Sequence, residues 1–138
     1  MPDSSDIDAA VVARLMSDAQ LMALMPDGVY FDVASKSASR FVIVSVLSAL
    51  DSSMFQGRAY ESPLYLVKAV ELSSSGANVR AAAARIDALL DNGTLAITGY
   101  TLMATRRRER VRYTEVDQDN DARWQHRGGQ YEVVCSPN

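Results

Sequence analysis

One cysteine, one histidine and one tryptophan occur among the 138 residues, and each scarcity closes a route. A lone Cys135 forms no intramolecular disulfide, so the bridge framework of small secreted domains is excluded and the thiol reads as a half-buried strand residue. A Ser-His nucleophilic pair or a His-based metal site would have to run through His126, the single imidazole. In a polar segment such a histidine reads as a hydrogen-bonding surface residue. Neither G-x-x-x-x-G-K-[ST] nor G-x-G-x-x-G occurs, so no phosphate loop is expected. No pair of carboxylates stands apart as an acid and its base. The expectation is a protein with no catalytic residues, no metal and no cofactor.

Long apolar runs are also lacking. The longest, 41–50, is interrupted by Ser45 and Ser48 and falls short of the ~20 residues a membrane helix needs. The start, Met-Pro-Asp-Ser-Ser-Asp, is acidic and polar and unlike a secretory signal. A cytoplasmic protein, or one entering a particle assembled in a cytoplasm, is expected. Charge of one sign is scarce as well: the net charge is -3, which argues against a generally basic nucleic-acid binder while leaving room for a local basic patch.

What is present fits one globular domain spanning 1–138, with 48% hydrophobic and 22% charged residues. A chain of this length buries about two-thirds of its unfolded surface without a disulfide or metal. Ser4, Ser5 and Asp6 offer caps for a first helix, on which Ile7, Val11 and Leu15 form one stripe. Ser17 and Asp18 restart a short helical turn through Leu21, Met22 and Met25, which Pro26-Asp27-Gly28 ends. Val29-Tyr30-Phe31 reads as a short strand, 34–40 as a polar loop, and 41–47 as a strand buried on both faces. A loop is expected over 51–63 and a strand over 64–72. After Ser73-Ser74-Ser75-Gly76, the spacing of Val79, Ala82, Ala83, Ile86, Leu89 and Leu90 predicts a helix, stopped at Asn92-Gly93. Residues 95–98 lead to a bend at Gly99, and 100–116 alternates as one long strand. A polar loop over 117–127 and a closing strand over 130–135 complete a long hairpin. The expected class is α+β: an antiparallel or mixed sheet, two main helices packed on it and a long C-terminal hairpin.

Four segments could carry function. In Asp117-Gln118-Asp119-Asn120-Asp121 the alternating carboxylates resemble the opening of a calcium loop, but the positions needing Gly and Glu hold Ala122 and Gly128. A solvated hairpin loop is expected instead. Arg106-Arg107-Arg108-Glu109-Arg110-Val111-Arg112 is the most unusual stretch. Strict alternation would place Arg106, Arg108, Arg110 and Arg112 on one face, where they repel unless something anionic lies opposite. Nucleic acid, solvent with counter-ions, or acidic residues of another subunit would serve, and the chain itself carries Glu115, Asp117, Asp119 and Asp121 as candidates. Arginine suits bidentate pairing with carboxylates at interfaces. Met54, Phe55 and Tyr60, beside Arg58, would either plug the core or form a docking tip. Trp124 is either a lid over the sheet end or an interface anchor.

The arrangement as a whole resembles the small tail-completion, or tail-terminator, proteins of long-tailed bacteriophages and gene-transfer particles. Carrying it are the opening helix and Asp18-Ala19-Gln20-Leu21-Met22-Ala23-Leu24, then Val29-Tyr30-Phe31-Asp32 and the strand 41–47. Tyr65-Leu66-Val67-Lys68-Ala69-Val70 follows before an alanine-rich helix, then the arginine strand, an acidic loop and Arg127-Gly128-Gly129-Gln130-Tyr131-Glu132-Val133-Val134. The resemblance implies a subunit of a closed ring, a hexamer, at the head-tail junction of a virion and assembled in host cytoplasm. Its implied partners are copies of itself, the tail tube protein and the head-side connector, with DNA only passing through the lumen and no membrane. The competing readings are another neck subunit, a nucleic-acid module using the arginine strand, and a ligand-binding domain or enzyme whose pocket is built from distant residues.

Overall fold

The structure, a computed structural model, describes residues 3–54 and 57–138, with the backbone alone at 51–54 and 57–59. Helix α1 (Ser5–Met16) and the short α2 (Ala19–Leu24) lead into strand β1 (Val29–Phe31). Strands β2 (Arg40–Met54) and β3 (Gly57–Leu72) precede helix α3 (Ala77–Leu90), and β4 (Tyr100–Asp117) and β5 (Ala122–Pro137) close the chain. The sheet order is β1-β2-β3-β5-β4, with β1 parallel to β2 and all other pairs antiparallel. The α+β class and the mixed sheet stand as expected.

Local chemistry explains the helix boundaries. The α1 amide of Ser5 is capped by Asp3 Oδ1 at 3.1 Å, so Asp3 takes the role expected of the serines. Asp6 and Asp8 occupy the first turn, where the helix dipole favours negative charge. Asp18 caps α2, accepting the Leu21 amide at 2.9 Å, and both of its oxygens take 2.7 Å hydrogen bonds from Arg85 of α3. That guanidinium holds the Asp18 carboxyl below its ordinary range. Asn92 adopts a left-handed φ of 56°, stopping α3 where the sequence places the break.

All three helices cover one face of the sheet. Ile7, Val11 and Leu15 of α1, Leu21 of α2, and Val79, Ala82, Ile86 and Leu90 of α3 close on Val42, Val44, Tyr65, Val67, Tyr131, Val133 and Cys135. Tyr65 and Tyr131 lie buried at the sheet centre, and their hydroxyls pin the helices. Tyr65 donates to Asp8 Oδ1 at 2.5 Å and Tyr131 to Asp87 Oδ1 at 3.0 Å. Burial raises both phenols. Burial also lifts the Cys135 thiol to about 11, which makes it a packing group. On the opposite face a smaller cluster of Ala38, Phe41 and Val70 gathers Tyr30, Ile43 and Trp124 around it.

Several expectations change. The loop expected over 51–63 is strand: β2 runs to Met54 and β3 starts at Gly57, with Ser53 opposite Arg58. Two register shifts let this hairpin accommodate polar residues that read as loop. Strand 41–47 is buried on both faces only at its start, since Val46 and Leu47 are exposed. Residues 95–98, leading to Gly99 at φ 80°, are irregular, and Leu95 and Ile97 in them are buried. The polar loop over 117–127 shrinks to a turn at 118–121, because ladder pairing with β4 and β3 holds 122–127 in β5. His126 and Trp124 are therefore strand residues and not loop residues.

Candidate assembly interface

The arginine stretch is in β4, at one edge of the sheet, but its residues do not share a face. A bulge between Arg107 and Glu109 adds one residue to β4 and reverses the alternation. Before it, Arg106 is opposite Glu132; within it, Arg108 pairs with Glu132 at 2.8 Å on the face away from the helices. After it, Arg110 is opposite Gly129 and Arg112 opposite Arg127, and both line a cleft beside α3. Arg107, expected to point away from the other arginines, joins that cleft and bonds Asp87 of α3 at 3.2 Å.

The cleft, about 610 Å³, lies between α3 and the β4–β5 hairpin. Five arginines line it: Arg80 from α3, Arg107, Arg110 and Arg112 from β4, and Arg127 from β5. Asp87 is the sole acid in its wall, and Ala83 and Ala84 keep the helix side low. Among the described residues Arg80, Arg110, Arg112 and Arg127 have no carboxylate partner. Arg112 and Arg127, directly opposed across the ladder, repel at short range.

Arg80, Asp87 and Arg127 were not singled out from sequence. Arg80, Ala83, Ala84 and Asp87 fall at i, i+3, i+4 and i+7, a second stripe beside the hydrophobic one, so half of the cleft could have been read. Arg127 could not, because its segment reads as loop.

The acidic end of the hairpin divides into two roles. The Asp117 carboxylate accepts the Asn120 side-chain amide at 2.8 Å and the Asp119 backbone amide at 3.2 Å, and these bonds, Asn120 foremost, hold it below its ordinary range. It shapes the turn. Asp119 is exposed, and Asp121, at a left-handed φ of 49°, is exposed with Arg123 at 3.4 Å beside it.

Trp124 packs edge-on against Phe41, centroids 6.2 Å apart, as part of the smaller cluster. It is half-buried there. Next to it His126 is buried, stacked on Tyr113 at 4.3 Å, with Nε2 3.0 Å from Glu115 Oε1. Burial lowers its pKa, with the Lys68 charge acting the same way. Lys68 hydrogen-bonds the Tyr113 hydroxyl. Phe55 lies outside the described residues, as do the side chains of Met54 and Arg58; Tyr60 is exposed at 38%. Among the described residues no cluster of His, Cys, Asp or Glu could hold a metal, and no helix is long and apolar enough to cross a membrane.

The described residues thus place an arginine-lined cleft and an acidic turn on one hairpin of a sheet whose helices cover one face. Residues 9–136 match the family described as "Tail completion protein gp17", and the chain belongs to that family. Its role is accordingly a structural one in the assembly of phage tails. A chain in the solved structure described as "Virion of native gene transfer agent (GTA) particle" is 20% identical and superposes with a TM-score of 0.73, covering 95% of this chain and 96% of that one. A second solved chain, 16% identical over 95% of both, superposes at 0.59. These likenesses bear on the fold. No curated protein sequence matches.

Proposed function

We propose that the chain is a tail terminator: a ring-forming subunit of one domain that seats on the finished tail tube, stops its polymerisation and joins it to the head-side connector. Membership of the tail-completion family carries the reading, and the likeness to a gene-transfer-agent virion chain supports a place in the particle, at the head-tail junction. In this reading six copies close the ring, assembly takes place in host cytoplasm, and DNA meets the protein only in passing through the lumen. A ring needs a heterologous contact, one patch against a different patch of the neighbour. The arginines of β4 and the acids of the 118–121 turn are two such patches on one hairpin. Their charge ratio makes the contact sensitive to salt.

Absolute mass by light scattering, over a concentration series at low and high salt and with isolated tail tubes added, tests this. The expected result is a discrete ring-sized species, in solution or on the tube end, that arrests tube growth. A 15.1 kDa monomer throughout that leaves tube growth unaltered would overturn the reading.

A further inference from the structure

We propose that the cleft between α3 and the β4–β5 hairpin is the receptor for the acidic turn of a second copy, with Asp119 and Asp121 entering among Arg80, Arg107, Arg110, Arg112 and Arg127. The inference rests on the ring reading and names the two surfaces that meet in it.

The cleft requires an anion. Four of its five arginines have no carboxylate partner among the described residues, and Arg112 faces Arg127 across the ladder, an arrangement that costs stability while the space between them is empty of negative charge. Part of the backbone is shaped for this concentration of charge. The bulge at Arg108 turns Arg110 and Arg112 into the cleft. Gly129 leaves room for the Arg107 stem, since a Cβ there would sit 3.1 Å from Arg107 Cδ.

The chain's own turn cannot reach. Arg112, the cleft arginine of β4 nearest the turn, is five residues from Asp117 on a continuously paired strand, or about 17 Å at ~3.3 Å per residue. The acids that fill the cleft must come from another molecule.

Two observations favour a carboxylate segment over nucleic acid. The chain carries -3 overall, so outside this cleft its surface is acidic and repels a polyanion as long as duplex DNA. No aromatic side chain lines the cleft to stack a base, and Asp87 stands in its wall. Two parallel N–H donors of a guanidinium match the two oxygens of a carboxylate. Asp119 and Asp121 are exposed at the apex of the hairpin, where a neighbour's cleft can take them.

The test uses full-length chains with complementary reversals. One variant carries R110E and R112E and keeps its native turn; the other carries D119R and D121R and keeps its native cleft. Each alone should lose the ring-sized species, and an equimolar mixture should restore it, because each reversed patch then meets its complement. A peptide of residues 115–123 should also bind the wild-type chain, weaken as salt rises, and lose at least tenfold in affinity against the R110E/R112E variant. Circular dichroism confirms that the variants fold. If wild type forms rings and the R110E/R112E variant does so equally well, the inference is overturned and the ring reading stands. If wild type forms dimers or open chains but no ring, and the peptide binds in the cleft, the inference stands and the ring reading fails. A peptide silent at millimolar concentration, or a 20-base-pair duplex that binds the cleft in its place, overturns the inference.

Discussion

Replacing Asp87 by alanine would test how the cleft wall is tied to the core. One oxygen of this residue serves both sides: Tyr131 donates to it at 3.0 Å from within the core, and Arg107 lies 3.2 Å away in the cleft. Tyr131 is only 2% exposed, so its hydroxyl would be left buried without an acceptor. Hydrogen bonds to charged groups contribute about 1.5–3 kcal/mol, and stranding the donor makes the upper half of that range the better guide. The ion pair adds little, about 0–1 kcal/mol, since Arg107 and Asp87 side chains are 28% and 31% exposed. D87A should therefore destabilise the fold by about 2–3 kcal/mol. With a urea slope of about 2 kcal/mol/M, the unfolding midpoint falls by about 1–1.5 M. Y131F removes the donor itself and should cost about 1 kcal/mol. The double variant should recover about 1 kcal/mol of the summed loss, because no hydroxyl is stranded. A midpoint shift below about 0.3 M for D87A, or strict additivity in the double variant, would refute the account.

Two further outcomes can be measured on the same apparatus. A Cβ at Gly128 would sit 2.0 Å from the Val67 carbonyl oxygen and 2.5 Å from Lys68 Cα, both backbone, so G128A should lose about 3 kcal/mol or fail to fold. G129A meets its neighbours at 2.9 to 3.2 Å, one of them the flexible Arg107 stem, and should be clearly milder by urea midpoint. Asp18 is held below its ordinary 3.8 by Arg85, so its contribution to stability is complete above that value and is lost as pH falls through the lower folded-state pKa. D18N should be less stable than wild type at pH 7, and the gap should narrow on acidification to pH 3; a constant gap would contradict the linkage.

The elements that local pattern determines were legible in the sequence. The hydrophobic spacing of α1 and α3, the Asp18 restart, the break at Asn92 and the β-branched start of β2 are all properties of a few neighbouring residues, and each is where the pattern puts it. The family resemblance was legible too, because it lies in the order of those elements. What the tertiary structure alone decided is register. Polar residues at 51–63 and 122–127 read as loop, and ladder pairing with neighbours distant in sequence makes them strand. That pairing moves Trp124 and His126 out of a loop and into the sheet. The bulge at Arg108 belongs to the same class of fact. One extra residue in β4 sends Arg110 and Arg112 to the helix side, where Arg80 and Arg127, 47 residues apart in the chain, complete the cleft. Period-two alternation could not have foreseen it, because a bulge is a property of two strands in contact and a single strand's sequence carries only half of it.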